Sequence, residues 1–159
     1  MPGVGKTTIG KKIAKLLNYR FFDLDMEIEK IEQKTVKEIF ESKGENYFRE
    51  KESEVLKKDT GEKVVVATGG GTPCYFNNME FIKKKGLSIY LKASGKFIFN
   101  RILQSPANRP LFKNIESGEK LSVIKKMLAE REPWYLQADM VFEMPGVSAE
   151  TIIESMVSV

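Results

Sequence analysis

The 159-residue chain contains no histidine, a single cysteine and a single tryptophan. Without an imidazole there can be neither a cysteine–histidine nucleophilic pair nor a histidine–metal centre. One thiol, Cys74, cannot build a disulfide framework. No apolar run approaches the roughly 18 residues that cross a bilayer, and the opening residues lack the apolar stretch of a secretory signal. No membrane segment is therefore expected, and the cytoplasm is the expected compartment. Internal repeats, low-complexity tracts and linkers are also missing. The length suits one domain, 1–159, with a real core, and is short for two.

Hydrophobic residues make up 42% and charged residues 30%, the balance of a soluble globular protein. The net charge is +4, with a pI near 9.0. In "EIEKIEQKTVKEIFESKGE" lysines alternate with glutamates, which describes solvated helix faces laced with i,i+4 pairs, not a basic stripe. Nucleic-acid binding is not expected; the excess positive charge suits small anionic ligands.

Helix and strand signals alternate. Gly5 to Leu17 reads as a helix with Ile9, Ile13, Leu16 and Leu17 on one face, and "YRFFDLD" as a short strand ending at acidic residues. Helices follow from Met26 to about Lys58 with a break at Lys43–Gly44, then the apolar strand and glycine turn "VVVATGGGTP". A helix from Asn78 to Lys85 ended by Gly86, a strand "LSIYL" and a helix from Lys96 to Leu103 come next. The segment from Gln104 to about Glu119 carries two prolines without periodicity and reads as a mobile loop. Leu121 to Tyr135 reads as a helix kinked or interrupted by Pro133, "MVFEM" as a last strand, and Ser148 to Met156 as a closing helix. The rhythm predicts an α/β fold, a parallel sheet with helices on both faces in three layers.

The opening "MPGVGKTT" supplies seven of the eight positions of the phosphate-binding pattern G-x-x-x-x-G-K-[ST]. A glycine-rich turn entering a helix aims backbone N–H groups and a positive dipole at phosphate oxygens, so Gly3, Val4, Gly5, Lys6, Thr7 and Thr8 form the candidate nucleotide loop. Lys6 would reach the phosphates and the Thr7 hydroxyl would meet magnesium. Asp23 and Asp25, two apart at a strand's carboxyl end, leave on one face, where they could support a metal or deprotonate a hydroxyl, or simply cap the next helix. Arg49 in "YFREKE", taken alone, reads first as a solvated helical arginine and only second as a ligand. Gly69, Gly70 and Gly71 permit close backbone approach to a substrate, or make an ordinary turn. Arg109 in "SPANRPLF" could swing onto a transferring phosphate if its segment closes as a lid, or lie in a plain loop. Arg131 in "EREPWY" could grip a carboxylate bidentately, or be solvated.

In order, "GVGKTT", "DLD", "FREKE", "TGGGTP", "NRPLF" and "EREPWY" resemble the shikimate kinase family, small P-loop kinases of the nucleoside-monophosphate-kinase type. The resemblance runs from residue 1 to about 140. It implies a five-stranded parallel P-loop NTPase sheet, whose first strand is missing from this chain, and transfer of the ATP γ-phosphoryl to the 3-hydroxyl of shikimate on the route to chorismate. Carried over, it implies that Lys6 and Thr7 bind nucleotide phosphate and Mg²⁺, with Asp23 supporting the metal. Asp25 holds the shikimate hydroxyls and acts as base, Arg49 and Arg131 clamp its carboxylate, and Gly69 to Gly71 pack on the ring. Arg109 is the arginine of the lid at 104–119, and Pro145 covers the adenine.

A monomer with ATP, Mg²⁺ and a small-molecule acceptor as its only partners is expected. The alternatives are a gluconate-type sugar-acid kinase and a catalytically silent binding module. Three departures stand out: the absent first glycine and strand, the spacing of Arg101 from Arg109, and Trp134. The first leads us to expect a natural start about eight to ten residues upstream, a typical strand plus the lost glycine.

Overall fold

A computed structural model describes residues 1, 3–58, 60–104 and 117–157. The elements run α1 (Lys6–Leu17), β1 (Arg20–Asp23), α2 (Leu24–Glu32), α3 (Val36–Lys57), β2 (Val64–Ala67) and a 3-10 turn at Thr72–Cys74. They continue with α4 (Asn78–Lys85), β3 (Ile89–Ala93), α5 (Gly95–Gln104), α6 (Ser117–Tyr135), β4 (Met140–Met144) and α7 (Ala149–Val157). The expected break in the second helical region is present: Gly44 sits inside α3 at φ 83°, ψ 170°, outside the helical region.

Four expectations change. Leu16 is 53% exposed, at the edge of an α1 stripe whose buried members are Gly10, Ile13 and Ala14. The strand expected through Asp25 stops at Asp23, because the Asp23 carboxylate accepts the Met26 N–H at 3.3 Å and caps α2. Residues 117–119, assigned to the lid, already belong to α6, and Gln104 ends α5. Pro133 does not interrupt α6, which continues to Tyr135.

All strand pairings are parallel. β1 pairs with β2, Arg20 opposite Val64 through Asp23 opposite Ala67, and β3 pairs with β4, Ile89 opposite Met140 through Ala93 opposite Met144. Among the described residues the sheet is thus two separate parallel pairs. A cavity of about 860 Å³ lies between β2 and β3, lined by Val65, Ala67, Tyr90, Leu91, Ile13 and Ile152. One apolar cluster joins α1, β3, α5, α6 and α7 around Ile98, Ile124 and Ile152; a second joins α2 and α3 around Leu24, Ile28 and Ile39. Within each pair the parallel arrangement turns both carboxyl ends, where α/β folds bind ligands, to one edge.

Helix α1 approaches β1 closely at Gly10, where an added β-carbon would meet Phe21 Cε2 at 2.8 Å. Gly10→Ala is expected to lower unfolding free energy by about 1–3 kcal/mol in urea titration, through overpacking. Gly118→Ala, which meets nothing within 4 Å on its helix, is expected to be neutral or slightly stabilising. Equal losses from both would contradict this packing.

Candidate active site

The phosphate loop begins with two residues in the left-handed region, Gly3 at φ 83° and Gly5 at φ 104°, which a side chain would strain. Val4 between them is buried and fastens the loop to the core. Gly5 is the N-cap of α1. No side chain caps that helix and no acid sits in its first turn, whereas Asp23 caps α2 and Thr35 caps α3. The amino end of α1 is therefore built to meet an external anion. Lys6 Nζ donates to the Met1 carbonyl at 2.7 Å across the loop, and Thr8 is exposed one residue beyond Thr7.

Thr7 Oγ1 donates to Asp23 Oδ2 at 3.1 Å, so the two residues expected to support a metal lie together. One Asp23 carboxylate oxygen caps α2 and the other faces Thr7. A hydroxyl beside a carboxylate is a hard-oxygen donor set that fits a magnesium ion held by few protein ligands. No group of three or more cysteine or acidic side chains that could cage a metal occurs among the described residues.

Asp25 lies in the first turn of α2, facing the glycine turn after β2. A β-carbon on Gly69 would fall 2.4 Å from Glu52 Oε1 and 2.9 Å from Asp25 Oδ1; one on Gly71 would fall 2.5 Å from Arg49 Cζ. At both positions the close approach of the protein's own side chains leaves no room for a β-carbon. Arg49 is only 5% exposed, so the solvated reading fails. Its guanidinium donates through Nη1 to Glu52 Oε2 at 2.9 Å, and through Nη2 and Nε to Glu45 Oε1 at 3.1 and 3.2 Å. The Tyr75 ring lies under it at 4.9 Å.

Glu52 is wholly buried and also accepts from Thr72 Oγ1 at 2.5 Å. Asn78 Nδ2 donates to the Thr72 carbonyl at 3.0 Å and accepts in turn from Ser53 at 2.8 Å, pinning the turn to α3 and α4. Sequence reasoning missed Glu52, Thr72 and Asn78. The available signal was spacing, since Glu52 follows Arg49 by one helical turn on the face bearing Phe48, Val55 and Leu56.

Burial pushes the Asp25 carboxyl up to about 6, helped by the negative charges of Glu52 and Asp23 and opposed by Lys6 and Arg49. Lys6 and Arg49 thus both act on the acid, which stands between the phosphate loop and the arginine. Arg131, on α6, is close enough to Cys74 and Tyr135 to oppose the upward push that burial gives both groups. The structure brings Lys6, Thr7, Asp23, Asp25, Arg49 and the glycine turn into one neighbourhood, with Arg131 on its α6 side. Pro145 is exposed in the turn after β4, following a cis peptide bond, and Arg101 lies against Phe97. Arg109 lies outside the described residues. Nothing in the structure explains Trp134.

A phosphate loop at the carboxyl edge of a parallel α/β sheet, facing a buried acid and arginine, defines a P-loop kinase of small molecules. The shikimate kinase family model matches residues 2–159, and the chain belongs to that family. It is 39% identical over 156 residues to the shikimate kinase of Bacteroides thetaiotaomicron, covering 98% of this chain and 89% of the relative. It is 40% identical over 151 residues to that of Parabacteroides distasonis, covering 94% and 87%. The crystal structure of the B. thetaiotaomicron enzyme superposes with TM-score 0.90 at 35% identity, covering 99% of this chain and 94% of that one. The Acinetobacter baumannii enzyme in complex with shikimate gives 0.87 at 32% identity, covering 98% and 86%.

The shifted acid has a thermodynamic signature. A carboxyl whose native pKa lies above its unfolded value near 3.8 opposes folding once ionised. The penalty is absent below pH 3.8, grows as pH rises to about 6, and is constant above. Asp25→Asn is therefore expected to stabilise the protein at pH 8 relative to pH 4 by on the order of 1–3 kcal/mol in urea titration. The same effect at both pH values would contradict the assignment.

Proposed function

We propose that the protein transfers the γ-phosphoryl of ATP to the 3-hydroxyl of shikimate, acting as a monomer in the cytoplasm on the route to chorismate. The observation that carries this reading is the packing of Asp25, Glu52 and Arg49 against the side-chain-free turn Gly69–Gly71, with Lys6 acting on Asp25 from the phosphate loop. That arrangement offers a base, a carboxylate ligand and a flat backbone surface to a hydroxylated ring acid, and phosphate ligands on its other side.

The amino end of α1, Gly3 to Thr8, and the Lys6 ammonium hold the ATP phosphates. Thr7 and Asp23 would hold Mg²⁺, which neutralises phosphate charge when bound. Arg49 and Arg131 grip the substrate carboxylate. Glu52 fixes one edge of the Arg49 fork, and the Nε–Nη2 edge, now on the half-exposed Glu45, is the one a substrate carboxylate takes over. Asp25 orients the acceptor hydroxyl and receives its proton. The hydroxyl oxygen forms a bond to the γ-phosphorus as the bond from that phosphorus to the β,γ-bridging oxygen breaks, and ADP leaves. Arg109 stabilises the charge spread over the transferring group, and Pro145 covers the adenine.

A coupled ADP-release assay with ATP, magnesium and shikimate tests this reading. ADP release is expected to depend on shikimate, and kcat/KM to rise with pH through about 6, as the base ionises, and then level off. Lys6→Ala is expected to lower the rate about 100-fold or more. Nucleotide binding without ADP release would favour a silent binding module, and faster turnover of gluconate a sugar-acid kinase.

A further inference from the structure

Tyr135 closes α6 one helical turn after Arg131, on the same face of the helix. It is buried, its ring lies 5.0 Å from that of Tyr90, and its hydroxyl donates to the Gly70 carbonyl at 2.5 Å across 65 residues of chain. A phenol has one proton to donate, so the Gly70 carbonyl takes it and the phenol oxygen is left to accept. The Met1 nitrogen donates to that oxygen at 3.5 Å, and the Arg131 guanidinium acts on it from α6. Burial pushes the phenol up from its ordinary range, so it stays a neutral donor at working pH.

The other faces of the glycine turn are met from α3, Gly69 by Glu52 and Gly71 by Arg49, while Thr72 is held by Glu52 of α3 and Asn78 of α4. Tyr135 is the hydrogen-bonded link from this turn to α6. We propose that Tyr135 is a positioning residue for substrate binding, its hydroxyl setting the Gly70 carbonyl and the Arg131 guanidinium at the mutual placement that a ring carboxylic acid requires. This rests on the reading of Arg131 and the glycine turn as substrate ligands. The link touches the glycine turn directly and reaches the phosphate loop through Met1, whose carbonyl accepts from Lys6, so its loss acts first on the acid.

The test is calorimetric binding of shikimate, and separately of ATP with magnesium, to the wild type, Tyr135→Phe, Arg131→Lys and the double variant. Tyr135→Phe keeps the ring and its packing on Tyr90. Its shikimate affinity is expected to fall about tenfold, the scale of a hydrogen bond to a charged network, with ATP affinity within about twofold of wild type. In steady-state assays KM for shikimate is expected to rise and KM for ATP to stay. Because Tyr135 acts partly through Arg131, the two losses are expected to be non-additive in the double variant.

Unchanged shikimate affinity, equal loss of both ligands, or strict additivity would overturn the positioning role. A variant that merely folds less well would weaken both ligands together and so falls among the overturning results. A wild type that binds no shikimate would instead remove the substrate reading itself, which keeps the two failures apart.

Discussion

The site is organised by a buried ion pair held against backbone that lacks side chains. Arg49 and Glu52, one turn apart on α3, are shielded from water and lie where β-carbons on Gly71 and Gly69 would otherwise be. Burying two charges is costly unless geometry and further hydrogen bonds offset the lost hydration. Here Thr72 and the Tyr75 face supply them, together with Glu45 on the open side. Removing one partner of such a pair typically costs about 3–5 kcal/mol, so the arginine is not free to rearrange when substrate arrives. Its orientation is set without any ligand, which would lower the ordering cost of the carboxylate binding proposed for it.

The same burial sets the chemistry of Asp25. Excluding water and placing Glu52 and Asp23 nearby lifts its proton affinity, while Lys6 and Arg49 keep the shift within reach of neutral pH. An acid near 6 is mostly ionised at pH 7 and a better proton acceptor than a solvent-exposed carboxylate. The native state carries this ionisation as a stability cost, which the proposed role of Asp25 as base would account for.

Much of this was legible in the sequence where a residue type has one physical use. Gly5-Lys6-Thr7 before an amphipathic helix announced the phosphate loop, and Asn78 to Lys85 ended by Gly86 gave α4 to the residue. Charged residues in buried networks were not legible. In "FREKE" Arg49 and Glu52 look like their solvated neighbours, because burial depends on which face of α3 meets the glycine turn. Asp25 was misplaced because two readings competed for the same residues: alternation placed it on a strand, but the Asp23 cap starts the helix sooner and turns Asp25 toward Gly69. Tyr135 was hidden in a motif read for its arginine, its partner 65 residues away.

If bare backbone at the glycine turn is what holds the arginine in place, a single methyl group should undo it. Shikimate and ATP affinities of Gly71→Ala, measured by calorimetry on folded protein, decide the matter: the added carbon falls 2.5 Å from Arg49 Cζ. Loss of shikimate affinity by about tenfold or more, with ATP affinity kept, is the predicted result, since the fork must leave its carboxylate-binding position. Shikimate binding as tight as in the wild type would contradict the account.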